Sequence, residues 1–279
     1  LPSPTDPTPL QDDQMAAFIR LGNDFTDNFY EVQIPLKVTP ETARNPEEIW
    51  PEINELDLPI DLLTKLKVLA LSADPSEFVD GILYRNDVEL NPDLASNTNR
   101  GPLRIGVKGN PNFGLVRTLM VGIRNISAQD GVKGEVWFNE LRLADMNNKG
   151  GMAAVINMDA NMADFATVSA TGRKSTIGFG ALEEGPNERS REDVLLYNVV
   201  TNISLGKLLP KKWGITLPFN YGVGEETITP KYDPFYQDIE LQQLLDATTD
   251  ENDRSNFENR AIDYTKRTSI NLIGVKKEK

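Results

Sequence analysis

Cysteine and histidine are both absent from the 279 residues, and the two gaps close most of the usual routes to chemistry. Without cysteine there is no disulfide framework, thiolate metal site or thiol nucleophile. Without histidine the commonest general base and metal ligand are gone. Cations are outnumbered, with 29 Lys and Arg against 42 Asp and Glu for a net charge of −13. That balance argues against nucleic acid, where clustered positive charge must meet phosphate. No apolar run approaches the ~20 residues of a membrane-spanning helix. A membrane barrel escapes that exclusion, because its strands are short and only half apolar. No charged n-region and apolar h-region stand at Leu1, and the chain stops at Lys276-Lys277-Glu278-Lys279 straight after a strand-like run. Both ends read as cuts through a longer protein.

What is present is mostly strand. Residues 1–14, with Pro2, Pro4, Pro7 and Pro9, read as a proline-rich linker or arm. Ala16–Leu21 and Phe29–Val38 are strand-like, the second alternating Tyr30, Val32, Ile34, Leu36 and Val38 with polar or small residues. Residues 46–50 and 59–69 carry helical signals, and 85–102 reads as loop. Leu103–Lys108, Val116–Ile123 and Glu135–Leu143 complete the strands of residues 15–148. The expected architecture there is a jelly-roll-like β-sandwich with minor helix.

After Asn147-Asn148-Lys149-Gly150-Gly151 the alternation sharpens. In 152–162, Met152, Ala154, Ile156, Met158, Ala160 and Met162 share one face, and Asn157, Asp159 and Asn161 the other. In 195–206, Tyr197, Val199, Ile203 and Leu205 oppose Asn198, Asn202, Ser204 and Gly206. In 215–224, Ile215, Leu217, Phe219, Tyr221 and Val223 oppose Thr216, Asn220, Gly222 and Gly224. Segments 165–172 and 263–275 fit the same style. Strands of ~9–11 residues with one apolar face match transmembrane β-strands. The joins at Ala163-Asp164 and Lys207–Trp213 are short, while 173–194 and 225–262 are long and charged. Outer-membrane barrels alternate turns in that way, and Phe165, Tyr197 and Trp213 sit near strand ends, where aromatic girdles belong. A soluble antiparallel sheet with one buried face produces the same alternation. Five strands cannot close a membrane barrel, so most of the wall would lie in other chain.

Other motifs weigh little. Gly172-Arg173-Lys174-Ser175-Thr176 lacks the glycine before lysine and the strand-to-helix setting of a phosphate loop. Asp246–Asp253 lacks the central glycine and final glutamate of a calcium loop, and Asp238–Leu245 before it reads as a short amphipathic helix. Asp24, Asp27, Glu52, Glu55 and Asp57 are candidates for a paired-carboxylate hydrolase only if two of them converge. Trp50 and Trp137 could serve a carbohydrate-binding sandwich as an aromatic platform.

Residues Arg20–Leu36 (RLGNDFTDNFYEVQIPL) resemble a segment of the SprA/Sov family, the outer-membrane translocon of the type IX secretion system. The resemblance strengthens at Gly134–Leu143 (GEVWFNELRL), continues through Lys149–Ala154 and Ala163–Gly172, and includes Leu205–Lys207 and Ile215–Phe219. It implies a giant outer-membrane barrel that exports folded cargo carrying a C-terminal signal and supports gliding motility. It implies no catalytic residues, cofactor or metal; the chain is expected not to be an enzyme. Expected partners are secreted cargo, accessory secretion proteins and outer-membrane lipid, with no nucleic acid or small-molecule substrate. On that reading Asn157, Asp159, Asn161, Asn198, Asn202 and Asn220 line the lumen. Ile156, Met158, Val199, Ile203, Leu217 and Phe219 face lipid. The sandwich would cap the pore or dock an accessory protein at the cell surface.

Overall fold

A computed structural model describes residues 8–96, 101–128, 131–144 and 148–277. Pro2, Pro4 and Pro7 of the proline-rich start, the 97–100 stretch of the expected loop, Asn147 and Glu278-Lys279 lie outside them. The described chain is mostly antiparallel β-structure in two units: residues 1–142 with Tyr236–Ile239, and residues 143–235 with 240–279. The sequence expectation had put the change of character at 148–149.

In the first unit β1 (Thr8–Pro9), β2 (Met15–Gly22) and β3 (Phe29–Pro35) precede α1 (Pro46–Ile49) and α2 (Asp61–Ser72). There follow β4 (Phe78–Val79), β5 (Ile82–Asn86), α3 (Asp87–Leu90), β6 (Arg104–Lys108), β7 (Thr118–Asn125) and β8 (Val132–Lys133). Six of these strands form one sheet in the order β4-β5-β6-β3-β2-β7. Its core face carries Tyr30, Val32 and Ile34 of β3, Ile105 and Val107 of β6 and Leu83 of β5. Against them pack Leu62, Leu63 and Leu66, which helical spacing gathers on one side of α2. Each such leucine, fully buried, stabilises by about 1.5–3 kcal/mol. The second layer is therefore this helix, where a sandwich would have a second sheet. Glu135–Leu143 accounts for part of the difference: it has strand composition but makes no ladder, and Trp137, Phe138, Leu141 and Leu143 are exposed. Of the described part of the arm, Thr8–Pro9 pairs in parallel with Val132–Lys133, and Asp12 and Asp13 bond to Val38 and Leu36 beside β3.

The opposite face of the sheet departs from the usual polar exterior. Glu31 and Gln33 alternate with the core residues of β3 and read as solvent-facing, yet they are 0% and 3% exposed. Glu31 accepts from Arg20 (Nε 3.0 Å, Nη2 2.5 Å), Gln33 (2.5 Å) and the Tyr84 hydroxyl (2.9 Å), with Arg124 at 3.4 Å. The Arg20, Arg104 and Arg124 guanidiniums lie over Phe29, Tyr84 and Phe18 and close the layer. Gly106 makes room for it, since a Cβ there would meet the Tyr84 ring at 2.6 Å.

Burial pushes the Glu31 pKa up, but the hydrogen bonds from Arg20, Gln33 and Tyr84 and the Arg124 charge outweigh it and hold the carboxyl below its ordinary 4.5. A depressed carboxyl contributes stability above its unfolded pKa and loses it as pH falls through the folded value. Glu31→Gln should cost about 1.5–3 kcal/mol at neutral pH, the usual worth of hydrogen bonds to a charged group. It should also flatten the acid limb of an unfolding-versus-pH curve. An unchanged acid limb would show that Glu31 is not the titrating group.

Residues 236–239 complete the unit. The Asp238 carboxylate takes the Lys67 ammonium at 2.6 Å and the Tyr30 hydroxyl at 2.8 Å, while Lys67 also donates to the Pro111 carbonyl at 2.7 Å. Lys67 and Asp238 side chains are 2% and 0% exposed.

The second unit is a meander: β9 (Ala153–Met162), β10 (Ala166–Ser175), β11 (Glu192–Ser204), β12 (Ile215–Thr216), β13 (Pro218–Pro230) and β14 (Asp263–Asn271). Its five-stranded sheet runs β14-β13-β11-β10-β9, every pair antiparallel, and β12 pairs instead with β15 (Lys276–Lys277). Charged and glycine-rich strand ends hid the true lengths. β10 runs on to Ser175 and β13 to Pro230, so the long connections are 176–191 and 231–262 rather than 173–194 and 225–262. The second holds α4 (Leu241–Ala247), which buries Leu241, Leu244 and Leu245, and α5 (Glu251–Ala261), capped by the Asp250 carboxylate. α4 is the short helix expected at Asp238–Leu245, displaced by two to three residues, and α5 begins within the acid-rich segment Asp246–Asp253 that reads as loop. No helix among the described residues is long and apolar enough to cross a membrane.

Candidate functional site

Residues paired across an antiparallel ladder point to the same side of the sheet. The register therefore decides which side chains share a face. Along one face run Met162–Ala166–Ile203–Phe219, then Ala160–Val168–Thr201–Tyr221–Ile270, then Met158–Ala170–Val199–Val223–Thr268. The other face carries Asn161–Thr167–Asn202–Asn220–Asn271 and Asn157–Thr171–Asn198–Gly224–Arg267 as rows across all five strands.

Asn157, Asp159, Asn161, Asn198, Asn202 and Asn220 thus fall together on one side, and Ile156, Met158, Val199, Ile203 and Phe219 on the other. Leu217 does not join them, because it sits between β12 and β13, outside the paired register. Nor is the amide face wholly polar: Val155, Leu196 and Val200 share it by parity.

On the two edge strands apolar side chains of this face are exposed, Ile156 by 71% and Ile270 by 64%. On the inner strands Val168, Val199, Ile203, Phe219, Tyr221 and Val223 are half-buried. Aromatics mark both ends of the band: Phe219 in the first row, and Tyr264 paired with Thr227 eight positions further along β13. At ~3.4 Å per residue those rows are about 27 Å apart, but the uninterrupted apolar rows end at Val223. One row inside that end the face turns polar, where the Glu225 carboxylate takes Lys266 at 2.6 Å and the Tyr197 hydroxyl.

On the amide face the side chains bond to one another. Asn271 Nδ2 donates to Asn220 Oδ1 (3.3 Å), Asn220 Nδ2 to Asn202 Oδ1 (2.6 Å) and Asn202 Nδ2 to Thr167 Oγ1 (3.3 Å). A depression of about 460 Å³ lies along Thr167, Asn202, Asn220 and Asn271. A second of about 320 Å³ continues beside Asp159, Asn161 and Ser169. Thr167 and Asn271 were missed by sequence reasoning, since only the register reveals that they extend the row.

The other motifs are structural where they can be followed. Asp24 is spent within its loop, its Oδ1 accepting from the backbone N–H groups of Thr26, Asp27 and Asn28 at 2.9, 2.6 and 3.0 Å. The Asn28 side chain first, and those N–H groups with it, hold its carboxyl far below the usual range, unsuited to proton transfer at neutral pH. No cluster of three acids positioned for a metal occurs among the described residues.

Residues 3–245 match the model of the SprA_N family, described as motility related/secretion protein. The chain belongs to that family. The match takes in the whole six-stranded sheet of the first unit and β9 to β13 of the second. No curated protein matches the chain. SprA_N membership makes this a motility- and secretion-related protein.

Proposed function

We propose that the five-stranded sheet is part of the wall of an outer-membrane β-barrel that passes exported proteins, and that the chain is not an enzyme. The observation that carries this reading is the register. It sorts the five antiparallel strands of the sheet into one face with three apolar rows and one amide-rich face. Backbone groups in such a wall are satisfied between strands, which is what allows irregularly apolar sequence to cross lipid. The joins at 163–165 and 231–262 are short and long, as barrel turns and loops are, whereas 205–217 is nearly as long as 176–191 and lends no support. The partners are then exported proteins and accessory secretion proteins, with outer-membrane lipid on the apolar face. The first unit caps the pore or docks an accessory protein. In cells whose sole copy lacks β11 to β13 (192–230), exported proteins should vanish from the exterior and accumulate in the envelope. Undiminished export from those cells would refute the assignment.

A second reading rests on a separate observation. Trp50 and Trp137 lie 6.5 Å apart at 50°, and they are 48% and 67% exposed. A tilted, open indole pair suits the apolar face of a sugar ring. Added envelope polysaccharide should shift tryptophan emission in the intact chain but not in Trp137→Ala; an identical response in both would remove this reading.

A further inference from the structure

We propose that the hydrogen-bonded row Thr167–Asn202–Asn220–Asn271 is where a polypeptide in transit touches this part of the wall, an inference that rests on the barrel-wall reading. Each asparagine amide offers two N–H donors and a carbonyl oxygen with two lone pairs. In the row, Asn202 and Asn220 each spend one N–H and one lone pair on their neighbours. One N–H and one lone pair on each are left over after those bonds. Such a surface is chemically a peptide group presented by side chains, able to meet the backbone of any polypeptide, whatever its sequence or charge.

Three features make it a contact surface rather than a capture site. The row itself is uncharged; beside it the depressions carry Asp159 and Asp164, the latter paired with Lys207 at 2.8 Å. Its amides are fixed by their mutual bonds, so little side-chain entropy is lost on contact. The row runs across the strands, which in a barrel tilt ~35–45° from its axis. A polypeptide moving along that axis therefore crosses the row, meets no more than a few amides at once and is free to slide. The depressions of about 460 and 320 Å³ along the row give it room to approach.

The test uses single-cysteine variants of the full-length protein in its outer membrane; this segment contributes no cysteine of its own. Asn220→Cys, Thr167→Cys, Asn198→Cys and Val199→Cys are each treated with a water-soluble maleimide. In parallel they are derivatised with a benzophenone maleimide and irradiated while a tagged secreted protein is exported. The expected result is labelling of Asn220→Cys, Thr167→Cys and Asn198→Cys, with crosslinks to the tagged protein from the first two alone. Thr167→Cys is the milder change at the end of the row and carries the test if Asn220→Cys fails to assemble. Labelling without any crosslink would overturn the contact row and leave the wall reading standing. Equal crosslinking from Asn198→Cys, on the same face but off the row, would also overturn it. Absence of labelling in assembled protein would bring down the wall reading itself.

Discussion

Replacing Asp238 by alanine should destabilise the first unit by about 3–5 kcal/mol, the usual cost of stranding one partner of a buried ion pair. Lys67 is 2% exposed and keeps the Pro111 carbonyl and the face of the Tyr236 ring, both uncharged, once the carboxylate is gone. The Tyr30 hydroxyl loses its acceptor in the same step. Replacing both charges together, as Lys67→Met with Asp238→Leu, should recover most of the loss, because a well-packed apolar pair carries no desolvation cost. The pH dependence gives a second signature. Burial lowers the Lys67 pKa, while the hydrogen bond and charge of Asp238 pull it back toward its ordinary 10.5. In Asp238→Ala only the lowering remains. The unfolded state then binds the extra proton, so stability should rise with pH up to the ordinary lysine value. Hydrogen exchange of the α2 and β3 amides in the intact chain reads both effects. Protection equal to that of the parent chain would show that Asp238 is not holding this core.

Val199→Arg in the full-length protein should cost about 2–4 kcal/mol, the penalty for an arginine at the middle of a lipid-facing strand, while Asn198→Arg should cost far less. Val199 occupies an apolar row with Met158, Ala170 and Val223. Asn198 is its neighbour in sequence and points to the opposite face. The two variants carry the same added charge on the same strand, so nonspecific harm from a new arginine cancels between them. Urea unfolding from lipid vesicles, or the fraction assembled in the outer membrane, separates them. Equal tolerance at the two positions would mean that neither face meets lipid.

Much of the second unit could be read without coordinates because each strand lies between two environments, and a side-chain period of two records that directly. Strand ends were harder. Arg173 to Ser175 and Glu225 to Pro230 look like loop, being charged or polar, yet the ladder continues through them beyond the apolar rows. Register was not legible at all, so Asn271 and Thr167 could not be joined to Asn202 and Asn220 from sequence. In the first unit α2 showed through its leucine spacing, but the face opposite it did not. Glu31 and Gln33 alternate as exposed residues should, and only long-range partners such as Arg124, Arg20 and Tyr84 bury them. Asp238 has the same character, since its partners lie 171 and 208 residues away in sequence. Glu135–Leu143 shows the reverse error: β-propensity predicted a strand where no neighbouring strand supplies a ladder.

The most direct measurement is a nitroxide scan of residues 196–203, one position at a time, in the full-length protein in lipid vesicles. Collision rates with oxygen report lipid, and those with a neutral nickel chelate report water. The barrel wall requires oxygen maxima at Tyr197, Val199, Thr201 and Ile203, and nickel maxima at Leu196, Asn198, Val200 and Asn202. Alternation absent, or nickel accessibility equal on both faces, would contradict it and leave a soluble sheet.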